Sequence, residues 1–170
     1  FELHKNIQVI LSAKDGMKVN FIKSWVDFLS QNKGLNGRWV FIDGEIKLPK
    51  FLAAADMTFI PRRTNFTGVE HYLAMHYGCV PIVSRCGILN DTVADIFDDI
   101  SNGCGFKTKT ALITAENSNE LFLTPVLKAL NVYQNNPSSW HLLVKNCLNK
   151  DCSWNFKILE RYYRIYKEMM

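Results

Sequence analysis

The sequence has no uninterrupted apolar run of the roughly 18 residues needed to span a bilayer. Its apolar stretches are broken by Lys, Asp or Asn within a few residues, so no membrane partner is expected. No C-x-x-C pair occurs, and the five cysteines (Cys79, Cys86, Cys104, Cys147, Cys152) are odd in number. A zinc site or a disulfide framework does not fit that pattern, and a reducing compartment does. No G-x-G-x-x-G follows the first β-like run; Ser12-Ala13-Lys14-Asp15-Gly16 stands there instead. This argues against a dinucleotide-dependent dehydrogenase. Charge of one sign is also scarce: 20 Lys and Arg against 16 Asp and Glu leave a net +4. A scattered excess of that size does not make the dense basic face of a nucleic-acid binder. There is no internal repeat and no low-complexity tract, and Asn117-Ser118-Asn119 is a short polar loop. No basic segment followed by an apolar run and a small-residue cleavage site marks a signal peptide.

What remains is the composition of a globular protein: 170 residues, 48% hydrophobic and 21% charged. That length suits a single domain, residues 1–170, with a sizeable core. Phe1-Glu2-Leu3-His4-Lys5 reads as the last turn of a helix whose beginning lies upstream, which points to a piece of a longer protein.

Residues 7–11 form a β-branched run, expected as a buried strand. Over residues 17–32, Phe21, Ile22, Trp25, Phe28 and Leu29 recur at amphipathic-helix spacing. Strands follow at 39–42, 57–60 and 80–83, with helices at 47–55 and 68–77 between them. Gly87 reads as a chain break, and residues 103–106 as a turn and a short strand. From Glu120 the pattern is helical: 121–134, 138–149 and 155–170. Strands alternating with helices imply an α/β fold with a Rossmann-like parallel sheet flanked by helices, closed by C-terminal helices. In such folds ligands lie beyond the carboxyl ends of the strands. Those ends carry residues 12–17, Asp43-Gly44, 61–68 and 84–89.

The most informative stretch runs from Ala53 to Val93. A helix opening at Gly68 turns its first amides and the positive pole of its dipole towards the preceding loop, and such an end can hold a phosphate. Glycine there removes the Cβ that would keep a ligand from the backbone.

The order of residues in this stretch is more specific. Ala55-Asp56-Met57, Pro61-Arg62-Arg63, Thr67-Gly68-Val69, Ala74-Met75, Tyr77-Gly78 and Val80-Pro81-Ile82-Val83 together resemble the run A-D-x-x-x-x-P-S-R-x-E-P-C-G-L-x-Q-x-x-A-M-x-Y-G-x-x-P-I-V. That run belongs to the bacterial glycogen synthase and plant starch synthase family. The segment from Arg85 to Val93 is similar to the family's R-T-G-G-L-x-D-T-V, and Asn102-Gly103-Cys104-Gly105-Phe106 to its N-G-T-G-F. Ser153-Trp154 and the tyrosine-rich end resemble its F-S-W…Y…Y.

The resemblance implies a retaining glucosyltransferase of the two-domain GT-B type, moving glucose from ADP- or UDP-glucose to an α-1,4-glucan. It implies the C-terminal, nucleotide-sugar-binding domain, with the acceptor glucan held by an N-terminal domain and a lysine-bearing loop upstream of Phe1. It implies no cofactor beyond the donor substrate, and a cytoplasmic location, or a plastid in a plant-type lineage. Gly68 and Val69 fall where the family's helix-start amides meet the diphosphate, Arg63 on its Arg, and Gly87 on the first glycine of the loop near the sugar.

Other positions depart from the family. Asn65 stands at its active-site Glu and cannot supply a carboxylate to positive charge at the anomeric centre. Thr67 replaces a Cys, Glu70 a small polar residue beside the phosphates, His71 a Gln and Ile88 the second glycine. Asp43 falls near a base-stacking Tyr. Two readings follow: an enzyme whose catalytic groups have shifted, or a degenerate module that binds or scaffolds. Another GT-B glycosyltransferase would carry two Glu where this chain has Asn65 and Leu73.

Plainer roles suit the remaining features. His71 and His76, five apart, do not share a helix face for a metal. Asp95, Asp98 and Asp99 lack the ordered spacing of a calcium loop and are expected on a solvated helix face. Cys79 and Cys86 are expected as packed thiols. Asn65 and Asn90 open formal glycosylation acceptors but fall where the ligand cleft is expected. Trp154, Phe156, Tyr162, Tyr163 and Tyr166 are expected as core and domain-contact residues, or, if exposed, as the face of an absent partner surface.

Overall fold

The computed structural model describes residues 7–13, 27, 30–31, 38–43, 46–61, 68–109, 118–151, 153 and 156–169. The helix expected over 17–32 falls mostly outside them; Asp27, Ser30 and Gln31 are helical. The expectation for Phe1 to Lys5 also lies outside. The chain divides into two units, Phe1–Phe51 and Leu52–Met170.

In the first unit, β1 (Val9–Ala13) pairs in parallel with β2 (Trp39–Asp43), in register from Val9 opposite Trp39 to Ala13 opposite Asp43. β-Branched and aromatic residues such as Val9, Ile10, Trp39 and Phe41 suit a pleated surface. The amide of Val9 donates to the carbonyl of Arg38 at 2.9 Å. Helix α1 (Leu48–Ala54) runs through the boundary between the units, with Pro49 in its first turn, where a missing N–H costs nothing.

The second unit follows the order β3 (Met57–Ile60), α2 (Glu70–His76), β4 (Val80–Val83), α3 (Gly87–Thr92), β5 (Phe106–Lys107), α4 (Ser118–Asn135), α5 (Pro137–Asn149) and α6 (Phe156–Glu168). Its sheet has the order β3-β4-β5 and is parallel throughout. The architecture is therefore parallel sheets flanked by helices, as expected for the α/β class. Each unit carries its own ladder.

β4 is buried along its whole length, as a central parallel strand should be. Pro81 sits in its middle, opposite Thr58 of β3. On the other side β5 begins one step later, with Ile82 opposite Phe106. The chain before it is Gly105, where a Cβ would meet the Pro81 carbonyl oxygen at 2.5 Å. Proline is tolerated because the ladder on that side starts beyond it.

Helix α2 ends on Gly78 at φ +72°. The amide of Gly78 donates to the Met75 carbonyl and that of Cys79 to the Ala74 carbonyl, both at 3.0 Å. This paired closure needs a left-handed residue, and glycine takes it without a Cβ penalty. Helix α5 opens on Asn136, whose side chain accepts from the Ser139 amide at 3.2 Å, with Pro137 in the first turn. Its Trp140, Leu143 and Cys147 stripe enters a core built by Met75, Val80, Ile82, Val83, Leu89, Val93, Phe106 and Ala129.

Several expectations are corrected. β1 is not a buried strand over 7–11: it runs from Val9 to Ala13, Val9, Leu11 and Ser12 are half-buried, and Ile10 is exposed. Ser118 and Asn119 are not loop but the first residues of α4. Gly87 does not break the chain but opens α3. Asp95, Asp98 and Asp99 are not on a helix: Asp95 is buried, bridges in parallel to Gly105, and its carboxylate accepts from the amides of Phe97 at 3.0 Å and Lys107 at 2.9 Å, while Asp98 and Asp99 are exposed in the loop after it. The tyrosines of α6 are not core: Tyr162, Tyr163 and Tyr166 are all exposed. Leu159 and Ile165 on the same helix are exposed too. Cys79 is a packed, buried thiol, and Cys86, half-buried, packs against the core as well.

Candidate functional site

Ile60 and Val83, the last residues of β3 and β4, are paired. Both strands therefore end on one rim. The chain leaves β3 through Pro61 and enters α2 at Glu70; it leaves β4 through Ser84 and enters α3 at Gly87. A helix between two adjacent parallel strands must run back along them, so α2 starts at the carboxyl rim. The opening turns of α2 and α3 thus face the side where such sheets hold ligands.

At the first turn, Val69 is the N-cap of α2 and has no side-chain oxygen to cap the amides after it. Val69 is exposed, Gly68 half-buried, and Glu70 places a carboxylate in the first turn. At the second, Gly87 takes φ +44°, after an extended Cys86. A left-handed residue followed by a helix lets the chain turn sharply off the strand, and glycine does this most cheaply.

A side-chain contact runs from the first turn of α2 to the last residue of α3. His71, the second residue of α2, is 1% exposed. Its Nε2 lies 3.0 Å from Oγ1 of Thr92, the last residue of α3. The Thr92 hydroxyl in turn donates to the Ile88 carbonyl. A hydroxyl has one proton, so towards His71 the Thr92 oxygen accepts. The imidazole therefore carries its proton on Nε2. Burial holds the His71 pKa below the usual histidine range, against the opposing pull of Glu70. The ring stays neutral near pH 7 and packs against Tyr72, with centroids 4.0 Å apart.

The far side of α3 is tied to β5. Lys107 Nζ donates to the Asn90 carbonyl at 2.8 Å. Burial and the nearby Arg85 guanidinium hold the Lys107 pKa below its usual range. Arg85 itself is committed elsewhere: its amide donates to Thr108 Oγ1 at 3.0 Å, its Nε to the Thr108 carbonyl at 2.9 Å and its Nη2 to Asp98 at 2.6 Å. Arg85, two residues before Gly87, is thus a clamp on the loop 95–99.

Of the residues singled out from the sequence, the fold brings Gly68, Val69, Glu70 and Gly87 to one rim. Asp43 ends β2 in the first unit. Arg63, Asn65 and Thr67 lie outside the described residues. The His71–Thr92 contact and the Lys107–Asn90 tie had no signal in periodicity. The D-T-V of Asp91-Thr92-Val93 was the one mark on Thr92. Among the described residues no group of His, Cys, Asp and Glu is placed to hold a metal ion.

No protein-family model matches the chain. Individual relatives do. The glycogen synthase of Clostridium novyi (strain NT) is 32% identical over 173 residues, covering 99% of this chain and 33% of that protein. The glycogen synthase of Koribacter versatilis (strain Ellin345) is 36% identical over 120 residues, 70% of this chain. The catalytic domain of starch synthase IV from Arabidopsis thaliana, solved with ADP and acarbose, superposes with a TM-score of 0.71 at 26% identity. It covers 96% of this chain and 32% of that one. The chain belongs to the glycogen synthase and starch synthase family. It spans about a third of the length of the first of these relatives, and its fold is that of the C-terminal part of a GT-B glycosyltransferase. Anabaena Alr3699/HepE, solved with UDP-glucose, shares this fold at a TM-score of 0.60 and 16% identity. Among the described residues no helix is long and apolar enough to cross a membrane.

Proposed function

We propose that this chain is the donor-binding part of a glucosyltransferase that takes ADP-glucose or UDP-glucose and extends an α-1,4-glucan. The observation that carries the reading is the joint position of two helix openings on one sheet rim, at Gly68 to Glu70 and at Gly87, linked through His71 and Thr92. The Arabidopsis relative, solved with ADP, supports the nucleotide.

In this reading the diphosphate lies against the amides of Gly68 and Val69, where the helix dipole favours an anion. Arg63 and Thr67, next to that turn in sequence, add a cation and a hydroxyl. Glucose reaches the turn at Gly87, with Ile88 narrowing the approach. No metal or organic cofactor takes part, and the partners are the donor and the glucan, without nucleic acid or membrane.

Transfer requires positive charge to develop at the anomeric carbon. Asn65 can orient a hydroxyl there but cannot neutralise that charge. The acceptor and the closing of a dry cleft come from a facing domain. The chain alone is therefore inactive. A second reading, a binding or scaffolding module without catalysis, is favoured by one observation: Glu70 places a carboxylate in the first turn of α2, where it repels a phosphate.

The test is calorimetric titration of both nucleotide sugars, combined with a glucan-extension assay on this chain and on the full-length protein. The reading expects binding by both and extension by the full-length protein alone. Binding without extension at full length selects the module. No binding to either rejects the donor site.

A further inference from the structure

We propose that His71 is a positioning residue of the donor site, fixing the opening turn of α3 against that of α2 through Thr92, so that one ligand can span both. The inference rests on the donor-binding reading above.

The contact runs through few atoms. His71 Nε2 donates to Thr92 Oγ1 at 3.0 Å, and the same hydroxyl donates to the Ile88 carbonyl. Ile88 follows Gly87 directly. The imidazole is thus two hydrogen bonds from the peptide that leads out of the Gly87 turn. Its own Cα lies in the first turn of α2, three residues after Gly68. Lys107 and Arg85 hold α3 and its approach to β5 and to the loop 95–99. Those ties run to β5 and to the loop 95–99, whereas the His71 contact runs to α2.

The geometry also explains why a polar ring is buried there. Thr92 is half-buried and its hydroxyl oxygen faces the buried His71 ring. Its back-bond to Ile88 leaves an acceptor lone pair facing α2. An N–H donor satisfies it, and an apolar side chain of equal volume does not. The requirement is for a donor at that reach, which glutamine also supplies.

A consequence separates positioning from general stability. A nucleoside diphosphate needs the α2 turn alone. A nucleotide sugar needs the α2 turn for its phosphates and the Gly87 turn for its glucose, at a fixed separation. Loosening the tie therefore weakens the two-ended ligand and spares the one-ended one.

The experiment is isothermal titration of ADP, ADP-glucose, UDP and UDP-glucose into the full-length protein and its H71L and H71Q variants. T92V and T92S form a second pair, which carries the test should H71L fail to fold. H71L and T92V are expected to weaken nucleotide-glucose binding on the order of tenfold and nucleoside diphosphate binding by less than about twofold. H71Q and T92S are expected to restore the nucleotide sugar to within about threefold of wild type. Equal weakening of both ligands, or no weakening of either, in a folded H71L or T92V overturns the positioning role and leaves the donor site standing. A wild type that binds no nucleotide sugar overturns the donor-binding reading itself, and this inference with it.

Discussion

His71 Nε2 and Thr92 Oγ1 lie 3.0 Å apart, and that contact joins the helix after β3 to the helix after β4. Neither residue is adjacent to the other in sequence, and neither is one that phosphate-binding patterns single out. Yet they settle how the two turns on the sheet rim stand towards each other.

The first prediction concerns pH. Burial lowers the folded-state pKa of His71 below its ordinary value of 6.5. Between the folded pKa and 6.5 the unfolded chain binds the extra proton, so stability rises with pH across that window. The His71 contribution is present above about pH 6.5 and is lost as pH falls below it. Urea unfolding of wild type and H71Q between pH 5 and 8 should show a steeper acid loss in the wild type. Parallel curves would contradict it.

The second compares two glycines. Gly78 at φ +72° and Gly87 at φ +44° both occupy the left-handed region. Alanine at either should cost about 1 kcal/mol of stability. G87A should also weaken nucleotide-glucose binding, whereas G78A, at the far end of α2, should leave it unchanged. Thermal or urea melts and titration of the same samples check both halves.

The third concerns the acids around Arg85. D95N replaces a buried carboxylate that accepts from the Phe97 and Lys107 amides. Losing charge-assisted bonds there should cost about 1–3 kcal/mol. D98N breaks an ion pair to Arg85 whose carboxylate is exposed, and should cost less than about 1 kcal/mol. The ordering of the two urea midpoints is the measurement.

The fourth concerns thiols. Burial, helped by the nearby Asp56, pushes the Cys79 thiol up to about 12. Burial likewise raises Cys147, which donates to the Cys104 carbonyl at 3.1 Å. Both should resist alkylation by iodoacetamide at pH 8 in the folded protein and react in urea. Mass-spectrometric mapping of the modified sites would show the protection or its absence.

Much of the fold could be read from the chain because its signals are local. Val80-Pro81-Ile82-Val83 between a glycine turn and a polar loop reads as a buried strand, and it is one. The helical pattern over 138–149 announced α5. Helix α3 was missed because six residues hold less than two turns of periodicity and open on glycine, which ordinarily signals a break. Asp95 was misplaced because its burial depends on amides 2 and 12 residues away, a tertiary fact that composition does not carry. The α6 tyrosines have a core-like spacing, but period alone does not say whether another surface covers them. The rim residues Gly68, Val69 and Gly87 were legible through motif order. The His71–Thr92 tie was not, since a buried histidine looks the same in sequence whether it packs or positions.

The most direct test of the account is an amide-resolved NMR titration of the full-length protein with ADP-glucose and UDP-glucose. The account expects the amides of Gly68, Val69, Gly87 and Ile88 to shift together along one saturation curve. It expects the corresponding nucleoside diphosphate to move the Gly68 and Val69 amides and leave Gly87 and Ile88 nearly in place. Shifts confined to residues away from this rim, or no saturable shift with either sugar nucleotide, would contradict it.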